Sequence, residues 1–342
     1  MSSPATPAAP ASDAATLDAS PEQPLSASEQ KRADKAAVLD AFSQEHLKWA
    51  NVDWLILGWM AMIHVGALAA PFVCGWNSQT LTACIAALVL HWLTCSIGVC
   101  LGYHRLLSHR SLKVVAPVRF FTTLCGVISG EGSPLNWAAT HRVHHAQSDK
   151  EGDPHSPLEG AWWSHLLWMF MGRDESFQEK LYSRYVPDLK DDPVMRMFEK
   201  TYPLWLFGHA GLIYLWLGVP GLLVTVCVRM VFAYHSTWFV NSATHLWGYR
   251  NYETTDESRN LWWVALLAYG EGWHNNHHAH PAIARAGHKW WEFDMTWMAI
   301  LTLKKLGLAY DINDRLPAPR PVAKHPVGNV EAADAASKTM AS

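Results

Sequence analysis

The chain has 342 residues, half of them hydrophobic and only 17% charged, so it is more apolar and less charged than an ordinary soluble domain. A formal net charge of -3, with no basic stripe, speaks against a nucleic-acid partner. Six cysteines (Cys74, Cys84, Cys95, Cys100, Cys125, Cys227) form no C-x-x-C pair and all but Cys74 lie in apolar stretches, which excludes a disulfide framework and a thiolate metal site.

In chain order, residues 1–45 are rich in Ala, Ser, Pro and Asp without an apolar run, and a disordered N-terminal tail is expected rather than a signal peptide. Residues 46–310 form one membrane domain. Its apolar stretches predict four transmembrane helices, at about 52–73, 81–101, 204–217 and 222–240. Most are near the ~20 residues needed to cross ~30 Å of hydrocarbon. The last two spans meet at a break, Val219–Pro220–Gly221. Residues 311–342 are expected to form a disordered C-terminal tail.

Charge orients the spans. The connection between the first two carries no Lys or Arg, and neither does the one between the last two, whereas residues 102–203 carry twelve, from Arg105 to Lys200. The positive-inside rule places that segment and both termini in the cytosol, with two hairpins entering the membrane. Aromatic runs at Ala161–Met171 and Leu261–Tyr269 are too short to cross and are expected to lie along the interface. The fold class is therefore all-α, two membrane hairpins under a cytosolic helical cap.

Nineteen histidines and nineteen tryptophans stand out. Tryptophan suits membrane interfaces, and neutral imidazole is the commonest metal ligand. Three histidine clusters fall on the expected cytosolic side: His104 and His109 in HRLLSH, His141, His144 and His145 in HRVHH, and His274, His277 and His278 in HNNHH. On an α-helix, positions i, i+3 and i+4 lie within about 100° of one another, and the last two diverge enough to reach two different ions. Positions i and i+5 diverge by about 140°, so His104 and His109 suit opposite sides of a two-metal centre. Asn241 and His245, an i, i+4 pair at the end of the fourth span, share this side. Nine histidines and one amide exceed the needs of a single four-coordinate zinc. Imidazole alone does not choose among zinc, copper, iron and nickel.

The stretches GYHRLLSHRS, NWAATHRVHHAQSDKEGDPHSP, TWFVNSATHLWG and GEGWHNNHHAHP occur in order and resemble the membrane fatty-acid desaturase family, in particular the bacterial and cyanobacterial delta-9 acyl desaturases of the stearoyl-CoA type. The resemblance implies a non-haem di-iron cofactor in a bacterial inner membrane, its active site cytosolic. The implied activity is dioxygen-dependent insertion of a cis double bond into a saturated acyl chain carried on CoA, a carrier protein or a lipid. It implies metal ligands at His104, His109, His141, His144, His145, His245, His274, His277 and His278, with Asn241 reaching iron through water. It further implies that Trp137, Thr237 and Trp238 line the bend of a substrate tunnel near Glu131, where relatives often carry glutamine. His155 and His165 are expected to support the ligands or sit near the headgroup. Arg229, inside the fourth span, is expected to make a structural pairing, and His64 and His91 to be satisfied core residues. The electron donor is expected to be a separate ferredoxin-like protein, because His325-Pro326-Val327-Gly328 only partly matches the His-Pro-Gly-Gly signature of a fused haem domain. Competing readings are a di-iron hydroxylase or ketolase, a zinc-dependent lipid hydrolase, and a haem protein using His64 and His91.

Overall fold

A computed structural model describes residues 26–316. Helix α1 (Ala27–Asp40) occupies part of the expected N-terminal tail. It starts on a capping box, in which the Ser26 hydroxyl accepts from the Glu29 amide and Glu29 reaches back to the Ser26 amide. Val38 and Phe42 then anchor it in the core. The other parts of the expected tails, residues 1–25 and 317–342, lie outside the described residues, as does His325-Pro326-Val327-Gly328.

Helix α2 (Trp54–Val73) is capped by the Asp53 carboxylate, which accepts from the amides of Leu55 and Ile56. Most of its side chains face outward, including Leu55, Leu68 and Phe72. Helix α3 (Ser78–His91) runs without a break into a widened, i→i+5 bonded segment, Trp92–Ser108. A two-residue strand, β1 (Lys113–Val114), precedes α4 (Ala116–Val127) and α5 (Pro134–Gln147).

Short α6 (Ala161–His165) begins the first aromatic run, followed by α7 (Glu175–Tyr185) and the long α8 (Pro193–Pro220). At Gly218 the backbone leaves the helical region (φ 57°, ψ -147°). The chain then continues through an i→i+5 bonded turn segment, Gly221–Val228, into α9 (Arg229–Asn241) and α10 (Ala243–Leu246). A Cβ on Gly221 would come within 2.9 Å of the Ile213 carbonyl, so the chain after Gly218 runs tightly against the helix before it. The cap is completed by α11 (Trp262–Leu267), α12 (His274–Ala279), α13 (Met295–Lys305) and β2 (Ala309–Tyr310), which pairs antiparallel with β1.

Among the described residues, three helical stretches are long and apolar enough to cross a membrane: Trp54–Val73, Ser78–Ser108 and Pro193–Leu246. They are tied together by polar contacts suited to an apolar setting, such as Thr225 Oγ1 donating to the Ala83 carbonyl (2.9 Å) and Gln79 Nε2 to the Leu217 carbonyl (2.9 Å). The main core of the cap packs α1, α5, α7 and the start of α8 around Leu107, Leu135, Leu181 and Phe198.

Candidate metal centre

The widened segment Trp92–Ser108 delivers the first histidines. In an α-helix His104 and His109 diverge, and on that basis they belong to opposite sides of the centre. The structure corrects this. The His109 amide donates to the His104 carbonyl (3.0 Å), so five residues make little more than one turn and the two rings meet edge to face, 4.8 Å apart. Both belong to the same pocket.

That pocket gathers His104, His109, His141, His145 and His277. A second gathers His144, His245, His274 and His278. Neighbouring residues on α5 and α12 separate between the two: His144 from His145, and His277 from His278. This is the 100° step of a helix put to use. Within the pockets Nε2 atoms stand close, His109 to His141 at 2.8 Å, His277 to His145 at 2.9 Å, His104 to His277 at 3.0 Å and His144 to His278 at 3.2 Å. Two ligands at right angles on one ion, with bonds of about 2.1 Å, stand ~3.0 Å apart. The buried Nε2 atoms of His245 and His274 have no hydrogen-bond partner among the described residues, a cost that a metal ion removes. The donor set therefore fits two ions bound by imidazole and is consistent with a non-haem di-iron cofactor.

Four carboxylates hold the rings from behind. Asp149 Oδ2 is 2.9 Å from His245 Nδ1, Asp153 Oδ1 2.9 Å from His144 Nδ1, Asp256 Oδ2 2.8 Å from His278 Nδ1, and Glu271 Oε2 2.7 Å from His104 Nδ1. The contacts of Asp149, Asp153 and Asp256 are hydrogen bonds that fix a tautomer and leave Nε2 free to face a metal. Burial alone disfavours the ionised Glu271, but Arg105 and His104 outweigh it and hold its carboxyl down to about 2. Burial and neighbouring rings push His141, His145 and His277 well below the ordinary histidine value, so these rings are neutral and ready to ligate. The four carboxylates were not legible as partners in the sequence, although Asp149 and Asp153 follow HRVHH closely and Glu271 stands three residues before His274.

A narrow, mainly apolar cavity reaches these histidines, with Cys95 and Val99 of the apolar stretch Ser78–Ser108 and Trp137, Thr237 and Asn241 among its walls. Asn241 shares this cavity with His144 and His274. Glu131 is hydrogen-bonded rather than left alone: Thr237 Oγ1 donates to Oε1 (2.8 Å) and Trp137 Nε1 to Oε2 (3.3 Å). Burial pushes its carboxyl up to about 7, against the pull of these two donors. Trp238, one residue and about 100° around α9 from Thr237, does not share this cavity wall. It stacks on Tyr234 and meets His165 edge-on.

The remaining polar residues have other partners. Arg229 bonds to the Thr225 carbonyl one turn back in its own helical stretch (3.1 Å) and to Thr94 Oγ1 and the Ile128 carbonyl of neighbouring segments (3.0 and 3.4 Å), rather than to a carboxylate. His155 lies against His144, and His165 bonds to His235 and Ser242. His64 bonds to the Met60 carbonyl and His235, and His91 to Cys95 Sγ, so they do not form a facing pair.

With this geometry in hand, comparison with known proteins is specific. The sequence profile of the fatty acid desaturase family matches residues 80–311. An sn-2 palmitoyl-lipid 9-desaturase of Nostoc sp. (strain 36) is 44% identical over 264 residues, covering 77% of this chain and 89% of that one. An sn-1 stearoyl-lipid 9-desaturase of Anabaena variabilis is 42% identical over 265 residues (77% and 94%). A chloroplastic palmitoyl-monogalactosyldiacylglycerol delta-7 desaturase of Arabidopsis thaliana is 39% identical over 271 residues (79% and 71%).

Proposed function

The chain belongs to the fatty acid desaturase family and is an oxygen-dependent desaturase of the membrane, and from that premise we propose that it introduces a cis double bond at carbon 9 of saturated acyl chains esterified to membrane lipids. The position and the lipid carrier are supported by the printed names of the two cyanobacterial relatives. The observation that carries the reading is the pair of histidine pockets side by side at the end of an apolar cavity.

In this reading His104, His109, His141, His145 and His277 hold one iron, and His144, His245, His274 and His278 hold the other, with Asn241 within reach through water. Removing hydrogen from an unactivated methylene is redox chemistry that side chains do not offer, and the bound irons with dioxygen supply it. The protein's part is placement. The cavity wall excludes water and threads the acyl chain past Trp137 and Thr237, so that one pair of carbons is presented to the metal centre. Glu131, joined to both residues, fixes the bend. Asp149, Asp153, Asp256 and Glu271 keep the rings from turning.

The membrane arrangement that suits this site has four crossings in two hairpins, the second reversing at Gly218, with the metal centre and both termini on the cytosolic side of a bacterial inner membrane. Electrons come from a separate ferredoxin-like donor. Expression in a desaturase-deficient bacterium tests the function. Mass spectrometry of the lipids is expected to show monoenes two mass units below the saturated chains with the native enzyme and none with His144→Ala. Products sixteen units heavier would identify a hydroxylase instead, and turnover without dioxygen or reductant, with zinc bound, a hydrolase.

A further inference from the structure

A second opening reaches the histidine pockets through His109. It is a cleft of about 500 Å³ whose wall includes His109, Arg110, Arg184, Asp188 and Pro281, and it shares no lining residue with the acyl cavity. His109 brings it into the five-histidine pocket, its Nε2 2.8 Å from that of His141. The rim is cationic. Arg142 is neutralised by a double contact to Asp188 (2.6 and 3.0 Å) and also binds the carbonyls of Leu107, Ser108 and Tyr185, so it builds the wall. Arg110 lies 3.7 Å from the same carboxylate, which leaves it poorly paired, with 69% of its side chain exposed. Arg184 is exposed and rests on the Tyr185 ring. Arg110 also holds a left-handed backbone (φ 52°), a conformation glycine adopts more readily, directly after His109.

The acyl chain has its own entrance, so this cleft is not needed for substrate. The reaction does need a second delivery: each turnover removes two hydrogens from the acyl chain and reduces one dioxygen to two waters, taking up two electrons and two protons from outside. Resting on the desaturase reading, we infer that the Arg110–Arg184 cleft is the docking surface of an acidic one-electron carrier protein, which passes its electrons through His109. Two carriers dock in turn and each leaves oxidised. The chemistry fits: exposed guanidinium groups attract a carboxylate-rich surface over a long range, and one imidazole separates the cleft floor from the five-histidine pocket.

The test uses the full-length enzyme in bilayer nanodiscs, with an acidic plant-type [2Fe–2S] ferredoxin as probe. Anaerobic stopped-flow follows ferredoxin oxidation in the native enzyme and in Arg110→Glu/Arg184→Glu. The charge reversal is expected to slow the second-order rate roughly ten- to hundredfold at low salt. It is also expected to abolish the decline with salt that the native enzyme shows. After reduction with dithionite and a viologen mediator, removal of excess reductant and admission of dioxygen, both proteins are expected to form the same amount of monoene. Arg110→Lys/Arg184→Lys, which keeps the charge, is expected to stay within about threefold of the native rate. Equal ferredoxin rates and equal salt dependence in the native and reversed proteins would overturn the docking proposal. So would an unchanged ferredoxin rate with a raised KM for the acyl substrate, which assigns the cleft to a substrate carrier. No monoene from the chemically reduced native enzyme would instead remove the desaturase reading itself.

Discussion

Asp256 touches His278 on the nitrogen that faces away from the second pocket, so its influence on the metal is indirect but strong. Asp256→Ala is expected to weaken iron binding roughly ten- to hundredfold in a chelator competition, with Asp256→Asn falling between it and the native protein because the amide oxygen still accepts from Nδ1. Glu131 gives a pH signature. Its folded carboxyl titrates near 7 instead of the ordinary 4.5, because burial disfavours the anion, so the folded state keeps a proton that the unfolded chain has released. Stability is therefore full below about pH 4.5 and declines as pH rises toward 7, by on the order of 3 kcal/mol. Glu131→Gln is expected to remove that decline, so its melting temperature rises relative to the native protein between pH 6 and 8. At this scale the histidines could be read because metal ligation uses one residue type at short, regular spacings. Their carboxylate partners could not, since Asp256 reaches His278 and Asp149 reaches His245 across 22 and 96 residues.

Helix geometry decides which histidines share a pocket, and here two kinds of helix are used. In α5 and α12 the ordinary step separates neighbours, a consequence legible from H-x-x-H-H. In Trp92–Ser108 the wider turn brings His104 and His109 together, and hydrophobic periodicity gives no sign of it. That segment also lies hard against α4: a Cβ on Gly98 would collide with the backbone of Cys125 and Gly126, and one on Gly102 would come within 2.9 Å of the Thr122 carbonyl. Gly98→Val is expected to force the two helices apart, cost about 1–3 kcal/mol in thermal unfolding and lower the iron content, because the same helix carries His104 six residues later. Helix α1 illustrates the opposite failure of sequence patterning. It has no apolar run, and a capping box with two anchoring side chains, Val38 and Phe42, is enough to place it on the cap.

For the whole molecule, composition separated the apolar spans from the polar cap because lipid tolerates neither free charge nor unpaired backbone. The exposed apolar faces of Trp54–Val73 and Pro193–Leu246 are where hydrocarbon belongs. The proposed topology predicts a labelling pattern in a cysteine-free background. A membrane-impermeant maleimide is expected to modify Glu151→Cys only from the cytosolic side, and Trp76→Cys and Val219→Cys only from the other. Labelling of Val219→Cys from the cytosol would mean that the chain does not return through the membrane at Gly218. The apolar cavity and the arginine-rimmed cleft both reach the histidine pockets and share no lining residue. The resemblance points to the first through Trp137 and Thr237, whereas the cleft was not legible in the sequence, since it is assembled from segments far apart along the chain.

Metal analysis of the purified full-length protein bears most directly on the two histidine pockets as a single catalytic centre. Inductively coupled plasma mass spectrometry is expected to find two irons per chain and negligible zinc, with His109→Ala/His277→Ala and His274→Ala/His278→Ala each reduced to about one or fewer. One tightly held zinc per chain, or an iron content unaffected by either pair of substitutions, would contradict the account.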